Sequence, residues 1–353
     1  APIAHEVHAQ RACYAALRIR VALRRFTVDL RTTAGVAFHT RIGLNCGDVI
    51  VGKIGDDLRM DYTGPGQTVG LASRVEGLAH PGEVWLTAPT ARLVEGYFQL
   101  RDRGLFELKG LPEPQRLYEL IGVGRLHTRL EVARAHGLSQ FVGRTAEMAT
   151  LELALQRTWE GQGQVVGVVG EAGVGKSRLC LEVVERCRAE AMRVIEAQCP
   201  ANGKTIPFLP IRQLLRTVFG IAEGDRDQVA REKIQERLGL LDRAFEEVLG
   251  LVEDFLGVPD PEHPIPPMVP EVRQRQLFAF LRRLVQAESE REPVVFLIDD
   301  LHWIDPVSDA FLTQLVEAVS GTRTLLLVNF RPDYHPAWTS ASSYHQVSLS
   351  PLG

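Results

Sequence analysis

The chain has 353 residues, 45% hydrophobic and 24% charged, an ordinary globular balance that provides for two or three cored domains. A formal net charge of −4 gives no electrostatic reason to expect nucleic acid or an anionic membrane as partner, and the longest apolar runs, near Val165 and Val294, are far too short to span a bilayer. Cys13, Cys46, Cys180, Cys187 and Cys199 form no Cys-x-x-Cys and no secretory pattern opens the chain, so the thiols read as small hydrophobes of a cytoplasmic protein.

Arg11 to Phe26 already follows a helical period, an abrupt start that predicts a cut N-terminus. Strand-like segments follow at His39 to Leu44 and Val49 to Ile54, joined by the turn composition Asn45-Cys46-Gly47-Asp48. A short run at Met60 to Thr63 leads through Gly64-Pro65-Gly66 into a helix with Val69, Ala72, Val75 and Ala79 on its apolar side. Pro81-Gly82 ends it, Glu83 to Leu86 reads as a strand, and Ala88 to Glu95 as a short helix. Tyr97 to Leu108 and Arg116 to Ile121 supply two more strands, so residues 1–124 form an α+β sandwich of helices on a mainly antiparallel sheet.

The stretches RIGLNCGDVIVGKIGDDLRMDYT (41–63) and GPGQTVGLASRVEGLAHPGEVWLT (64–87), with FELKG (106–110) beyond them, resemble the class III nucleotidyl cyclase domain. The resemblance implies a ferredoxin-like fold, a homodimer with the site between two domains, purine contact at Thr63, stabilisation of phosphate charge by Arg74, and Lys109 near the triphosphate. A solvated helix charge is the other reading of Arg74, and a surface lysine that of Lys109. The family's two metal-binding aspartates fall before the matched stretch with no counterpart here, and Gly70 stands where the family carries an Asn. Cyclisation needs metal to activate the 3′-hydroxyl, so the expectation is a cyclase-like region inactive in this chain.

Residues 125–140, with Arg125, Arg129 and Arg134 among small residues, read as a basic helical linker. Phe141-Val142-Gly143-Arg144, with Glu147 three residues on, resembles the box that opens AAA+ and STAND-type ATPase cores, which implies that Arg144 lies near the base. The next stretch, VVGVVGEAGVGKSR (165–178), is an apolar strand, a glycine-rich loop and a helix start: Gly-x-x-x-x-Gly-Lys-Ser in its required context. Gly170, Gly173 and Gly175 let backbone N–H groups face a phosphate, Lys176 reaches the β- and γ-phosphates, and Ser177 binds Mg²⁺; Arg178 closes the phosphate-binding set.

Leu179, Val183 and Cys187 suit a helix packed on a sheet, and Arg193 to Ala197 reads as the second strand. About 200–290 is helical in period, broken at Gly220 to Asp225 and at Pro259 to Pro270, with Pro270-Glu271 opening a last helix; this predicts a helical insertion. Val294 to Asp305, VVFLIDDLHWID, is a buried strand that delivers Asp299 and Asp300 to its C-terminal edge, the ligand edge of open α/β sheets. Asp299 is expected to hold Mg²⁺ through water and Asp300 to orient or deprotonate the attacking water. TLLLVNF (324–330) reads as another strand, followed by Arg331; the STAND resemblance implies γ-phosphate contact there, against a pairing with Asp333 or a neighbouring helix. Gln346 to Leu349 supplies a fifth strand, so 141–353 reads as an α/β P-loop NTPase core with a parallel sheet.

The whole resembles a bacterial signalling protein in which a class III cyclase domain precedes a STAND/AAA-type ATPase that uses ATP and Mg²⁺. Protein partners are expected through a segment beyond Gly353. Two rivals stand beside it: a working cyclase regulated by the ATPase, and a scaffold that binds ATP without hydrolysing it.

Overall fold

The computed structural model describes residues 8–34, 39–47, 67–124, 137–200, 204, 207–222 and 224–352. The expected strand at Val49–Ile54, the run Met60–Thr63 and most of the 125–140 linker lie outside them. The chain divides into two compact units, Ala1–Ser139 and Gln140–Gly353.

In the first unit the elements run α1 (His8–Ala34), β1 (Ile42–Leu44), α2 (Gln67–Leu78), β2 (Val84–Thr87), α3 (Ala88–Val94), β3 (Phe98–Phe106) and β4 (Gln115–Val123). The sheet order is β1-β2-β4-β3, with β1 parallel to β2 and the other two pairings antiparallel. Alternation along β2 sends Val84 and Leu86 to a core shared with Cys13 and Leu17 of α1 and Val94 of α3, while Trp85 meets Val75 and Ala79 at α2. Helices therefore cover both faces, and Arg20 of α1 fastens itself to the Leu120 and Ile121 carbonyls of β4 at 2.8 and 2.6 Å.

The second unit is a three-layer α/β/α core. It comprises α4 (Thr145–Trp159), β5 (Gln164–Gly170), α5 (Lys176–Ala189), β6 (Arg193–Gln198), α6 (Leu209–Val218), α7 (Asp227–Leu241), α8 (Leu249–Leu256), α9 (Pro270–Arg291), β7 (Val294–Asp299), α10 (Pro306–Val319), β8 (Thr324–Phe330) and β9 (Tyr344–Leu349). All pairings are parallel, in the order β6-β7-β8-β5-β9. Continuous apolar runs are what a sheet buried on both faces requires. Thus Val165 and Val169 of β5 face one core with α6, α9 and α10, and Val166 and Val168 face the other with α4 and α5.

Helices α6 to α9 fill the predicted insertion between β6 and β7 without separating these strands, which pair from Arg193↔Val294 to Gln198↔Asp299. Pro270 takes the first position of α9, where its missing N–H costs nothing. At the opposite end of that helix Glu288 is fully buried and held by Arg193 of β6 at 2.6 Å and by Arg237 of α7.

Candidate functional site

The order of the strands assembles the site. The phosphate loop follows β5 and the acids follow β7, and β8 lies between those two strands, so all three C-terminal ends open on one edge. Gly170 cannot carry a side chain, since a Cβ there would meet the Leu349 carbonyl and Val174 at 2.8 Å. Gly175 caps α5 at φ +97°, a left-handed conformation that favours glycine, and so turns the loop into the helix start.

Within this loop the buried Lys176 donates from Nζ to the carbonyls of Gly170 and Glu171, each at 2.8 Å. Burial pulls its basicity down, the Asp300 charge opposes that, and the Arg331 charge adds to it. Ser177 Oγ donates to Asp299 Oδ1 at 2.9 Å. A hydroxyl and a carboxylate are hard oxygen donors that suit Mg²⁺, so this pair fits the ion the sequence implies.

The acids are held by a residue that the sequence reading passed over. Asn329, fully buried on β8, donates from Nδ2 to Asp299 Oδ1, and its Oδ1 accepts the Asp300 N–H at 3.0 Å. Register explains the reach, because Ile298 pairs with Val328 and the next residues on the two strands are Asp299 and Asn329. The signal in the sequence was a polar amide one residue before the end of a largely apolar strand, a position that burial permits only with hydrogen-bond partners.

Asp300 adopts φ +56°, ψ +42°, a left-handed conformation that Asp tolerates and that turns the chain away from the sheet. Burial, and then the neighbouring Asp299 charge, push its carboxyl up to about 6. Burial likewise raises Asp299, against the bonds from Asn329 and Ser177. A short 3-10 turn, Leu301–Trp303, follows, and Asp305 then caps α10 by accepting the Val307 and Ser308 N–H groups at 3.1 and 3.0 Å. The charge of Arg331, just past β8, acts on Lys176, Asp300 and His302 alike, which puts it in the same neighbourhood.

Two predicted residues take on contacts the sequence does not disclose. Arg144, buried, donates to Val174 O of the phosphate loop at 2.9 Å and to Ser350 O at 2.6 Å, and pairs with Glu147 at 2.9 Å. It therefore braces the loop from beneath. Arg178 pairs with Glu182 at 2.7 Å and lies over the Phe141 ring at 5.6 Å.

In the first unit, Thr63 lies outside the described residues. Arg74 is exposed on α2, and a Cβ added at Gly110 would lie 3.6 Å from its Nη2, so its guanidinium rests against the Lys109–Gly110 turn. Gly70, one helical turn earlier, would place a Cβ 3.9 Å from the same nitrogen. Helix α2 and the turn that carries Lys109 thus meet at the Arg74 guanidinium.

A parallel sheet with Gly-x-x-x-x-Gly-Lys-Ser after one strand and paired acids after another defines a P-loop NTPase core, here preceded by a cyclase-type α+β unit. The family model for the AAA ATPase domain matches residues 140–328, and the chain belongs to that family. The model for the adenylate and guanylate cyclase catalytic domain matches residues 2–122.

Among curated proteins the chain is 27% identical over 293 residues to an uncharacterized protein of Rhizobium meliloti (strain 1021), covering 81% of this chain and 28% of that protein. It is 26% identical over 295 residues to adenylate cyclase type 10 of Oryctolagus cuniculus, covering 80% of this chain and 18% of that protein. The chain thus spans less than a third of the length of these relatives. Among solved structures, the guanylate cyclase domain of a Catenaria anguillulae protein in complex with GTP shares 31% identity at a TM-score of 0.31, covering 35% of this chain and 64% of that one. No described helix is long and apolar enough to cross a membrane.

Proposed function

We propose that the chain is an ATP-operated signalling switch: its second unit binds and slowly hydrolyses ATP, and the nucleotide state is passed to a cyclase-like unit that does not itself cyclise nucleotide in this polypeptide. The observation that carries the reading is the meeting of Lys176, Ser177, Asp299 and Asp300 at one sheet edge, with Ser177 Oγ 2.9 Å from Asp299 Oδ1. Ser177 and Asp299 would hold Mg²⁺, which neutralises charge on the β- and γ-phosphate oxygens when bound.

The remaining work falls to the chain's own groups. Loop N–H groups and the start of α5 cradle the phosphates, and Lys176 exchanges its carbonyl partners for phosphate oxygens. Asp300, raised to about 6, is still ionised at neutral pH and basic enough to take a proton from an attacking water. Asn329 fixes both acids, and Arg331 supplies positive charge toward the γ-phosphate. Five free thiols fit a reducing, cytoplasmic setting.

Nucleotide titration with and without Mg²⁺, paired with phosphate release, tests this on wild type and Lys176→Ala. The variant should bind ATP about ten- to a hundredfold more weakly. Equal affinity in the two proteins would remove the phosphate loop from the reading.

A further inference from the structure

Two cations approach one aromatic ring beside the paired acids. Trp303 ends the 3-10 turn after Asp300, with Lys204 Nζ 5.3 Å and Arg331 Cζ 6.0 Å from its ring centroid. The turn that carries the indole is firmly placed. Trp303 N–H donates to the Asp300 carbonyl at 3.0 Å, Leu301 is fully buried, and Asn329 holds the Asp300 N–H.

The ring's other neighbour is His302, whose centroid lies 5.1 Å away. That imidazole is 6% exposed and neither ring nitrogen has a hydrogen-bond partner. Burial, then the Arg331 charge, push its basicity down to about 4, so it stays neutral and presents no further positive charge to the guanidinium.

We propose that Trp303 is a positioning residue for Arg331, beside a further contact that this side chain makes: its indole helps to seat the guanidinium at the mouth of the nucleotide site, and the γ-phosphate of ATP draws that guanidinium off the ring. The proposal rests on the ATP reading above. The direction of the exchange follows from the strengths involved. Attraction between a cation and a ring is weak where water reaches the pair, whereas guanidinium and phosphate form short, charge-assisted and often bidentate bonds. ADP brings no γ-phosphate and so leaves the guanidinium with the indole.

The test uses the full chain. Calorimetry first establishes binding of ATP–Mg, of an analogue with a non-hydrolysable β–γ bond, and of ADP–Mg. The Trp303 emission is then taken as the difference between wild type and Trp303→Phe, which cancels Trp85, Trp159 and Trp338. The ATP analogue should shift this difference signal and ADP should shift it less, and Arg331→Gln should erase the distinction between them.

At saturating ATP, Trp303→Leu should lower turnover roughly two- to fivefold with nucleotide affinity within about twofold, and Trp303→Phe, which keeps an aromatic face, should recover most of it. Equal responses to the two nucleotides in wild type, a distinction that survives Arg331→Gln, or equal turnover in the Leu and Phe variants would each overturn the proposal while leaving ATP binding in place. If Trp303→Leu fails to fold, the emission arm decides alone. A chain that binds neither nucleotide in calorimetry brings down the ATP reading, and this proposal with it.

Discussion

Ser177 and Asp299 stand 122 residues apart in the chain and 2.9 Å apart in the protein, hydroxyl donating to carboxylate. If they hold the metal together, Ser177→Ala and Asp299→Asn should each collapse the Mg²⁺-dependent gain in ATP affinity. Affinity measured in a chelator should stay within about twofold of wild type. A gain that persists in both variants would show that the ion is held elsewhere.

Asp300 should trade stability for turnover. Its folded carboxyl is raised to about 6, above the unfolded value near 4, so the folded state holds the proton more tightly. Its contribution is therefore fully present below about pH 4, is lost as pH rises toward about 6, and is flat above that. Asp300→Asn removes the charge and should raise stability at pH 7 by up to about 2 kcal/mol, a gain that shrinks at pH 4. Hydrolysis should fall by about 10²-fold with ATP affinity within a few-fold. Thermal melts at both pH values and phosphate release check this, and unchanged hydrolysis would exclude Asp300 as the group that handles water.

Asn329 is predicted to matter twice. Truncation to Ala leaves the Asp300 N–H without its acceptor and removes a donor from Asp299, which should cost about 1–3 kcal/mol of stability. Turnover should fall as well, because the acids lose their fixed spacing. A lower melting temperature with unchanged turnover of the folded protein would reduce Asn329 to a structural role.

How far such residues were legible depended on the range of the physics behind them. The phosphate loop was readable because backbone geometry, helix start and lysine must follow one another locally, and Asp299–Asp300 because an apolar run ends where they begin. Asn329 belongs to neither pattern: its job is defined by β8 lying between β5 and β7, an adjacency that no local spacing encodes. Arg144 belongs to a local motif, yet its contact with Ser350 spans most of the second unit. Glu288 sits in QAESER, which reads as a solvated helix face, and only the packing of α7 and β6 against α9 buries it.

That buried acid gives a prediction away from the site. Glu288→Ala would take their shared carboxylate from Arg193, which keeps the Val218 carbonyl at 2.7 Å, and from Arg237, and should cost about 1–3 kcal/mol of stability. Arg193 opens β6, at the sheet edge opposite the phosphate loop, so the fraction that remains folded should bind ATP as wild type does. Denaturant melts and nucleotide titration separate the two effects. A large loss of affinity in folded protein would mean that the insertion is coupled to the site.

The cyclase-like unit is predicted to yield no cyclic AMP or cyclic GMP from this 353-residue polypeptide, even at high concentration with Mn²⁺ and either triphosphate. Cyclisation needs metal at the α-phosphate, and the class III resemblance implies metal-binding aspartates that the stretch matched here, from Arg41 onward, is not expected to supply. Gly70 also lacks an amide for the transition state, a deficit of about 10²-fold by comparison with losing one oxyanion donor. Product above background that Arg74→Ala abolishes would sink this reading and favour a working cyclase.

The placement of β5 between β8 and β9 has a consequence for biogenesis. A polypeptide leaving the ribosome presents β5 early, with both edges open, and neither neighbour exists until residues 324–349 have been translated. The Arg144 brace waits for Ser350 as well. Pairing across such a separation is slow, and an apolar strand left open in the meantime is exposed to aggregation. Nucleotide capture should therefore arrive late and abruptly in synthesis, and chains stalled before β9 should depend on chaperones, with ATP unable to rescue them as a ligand.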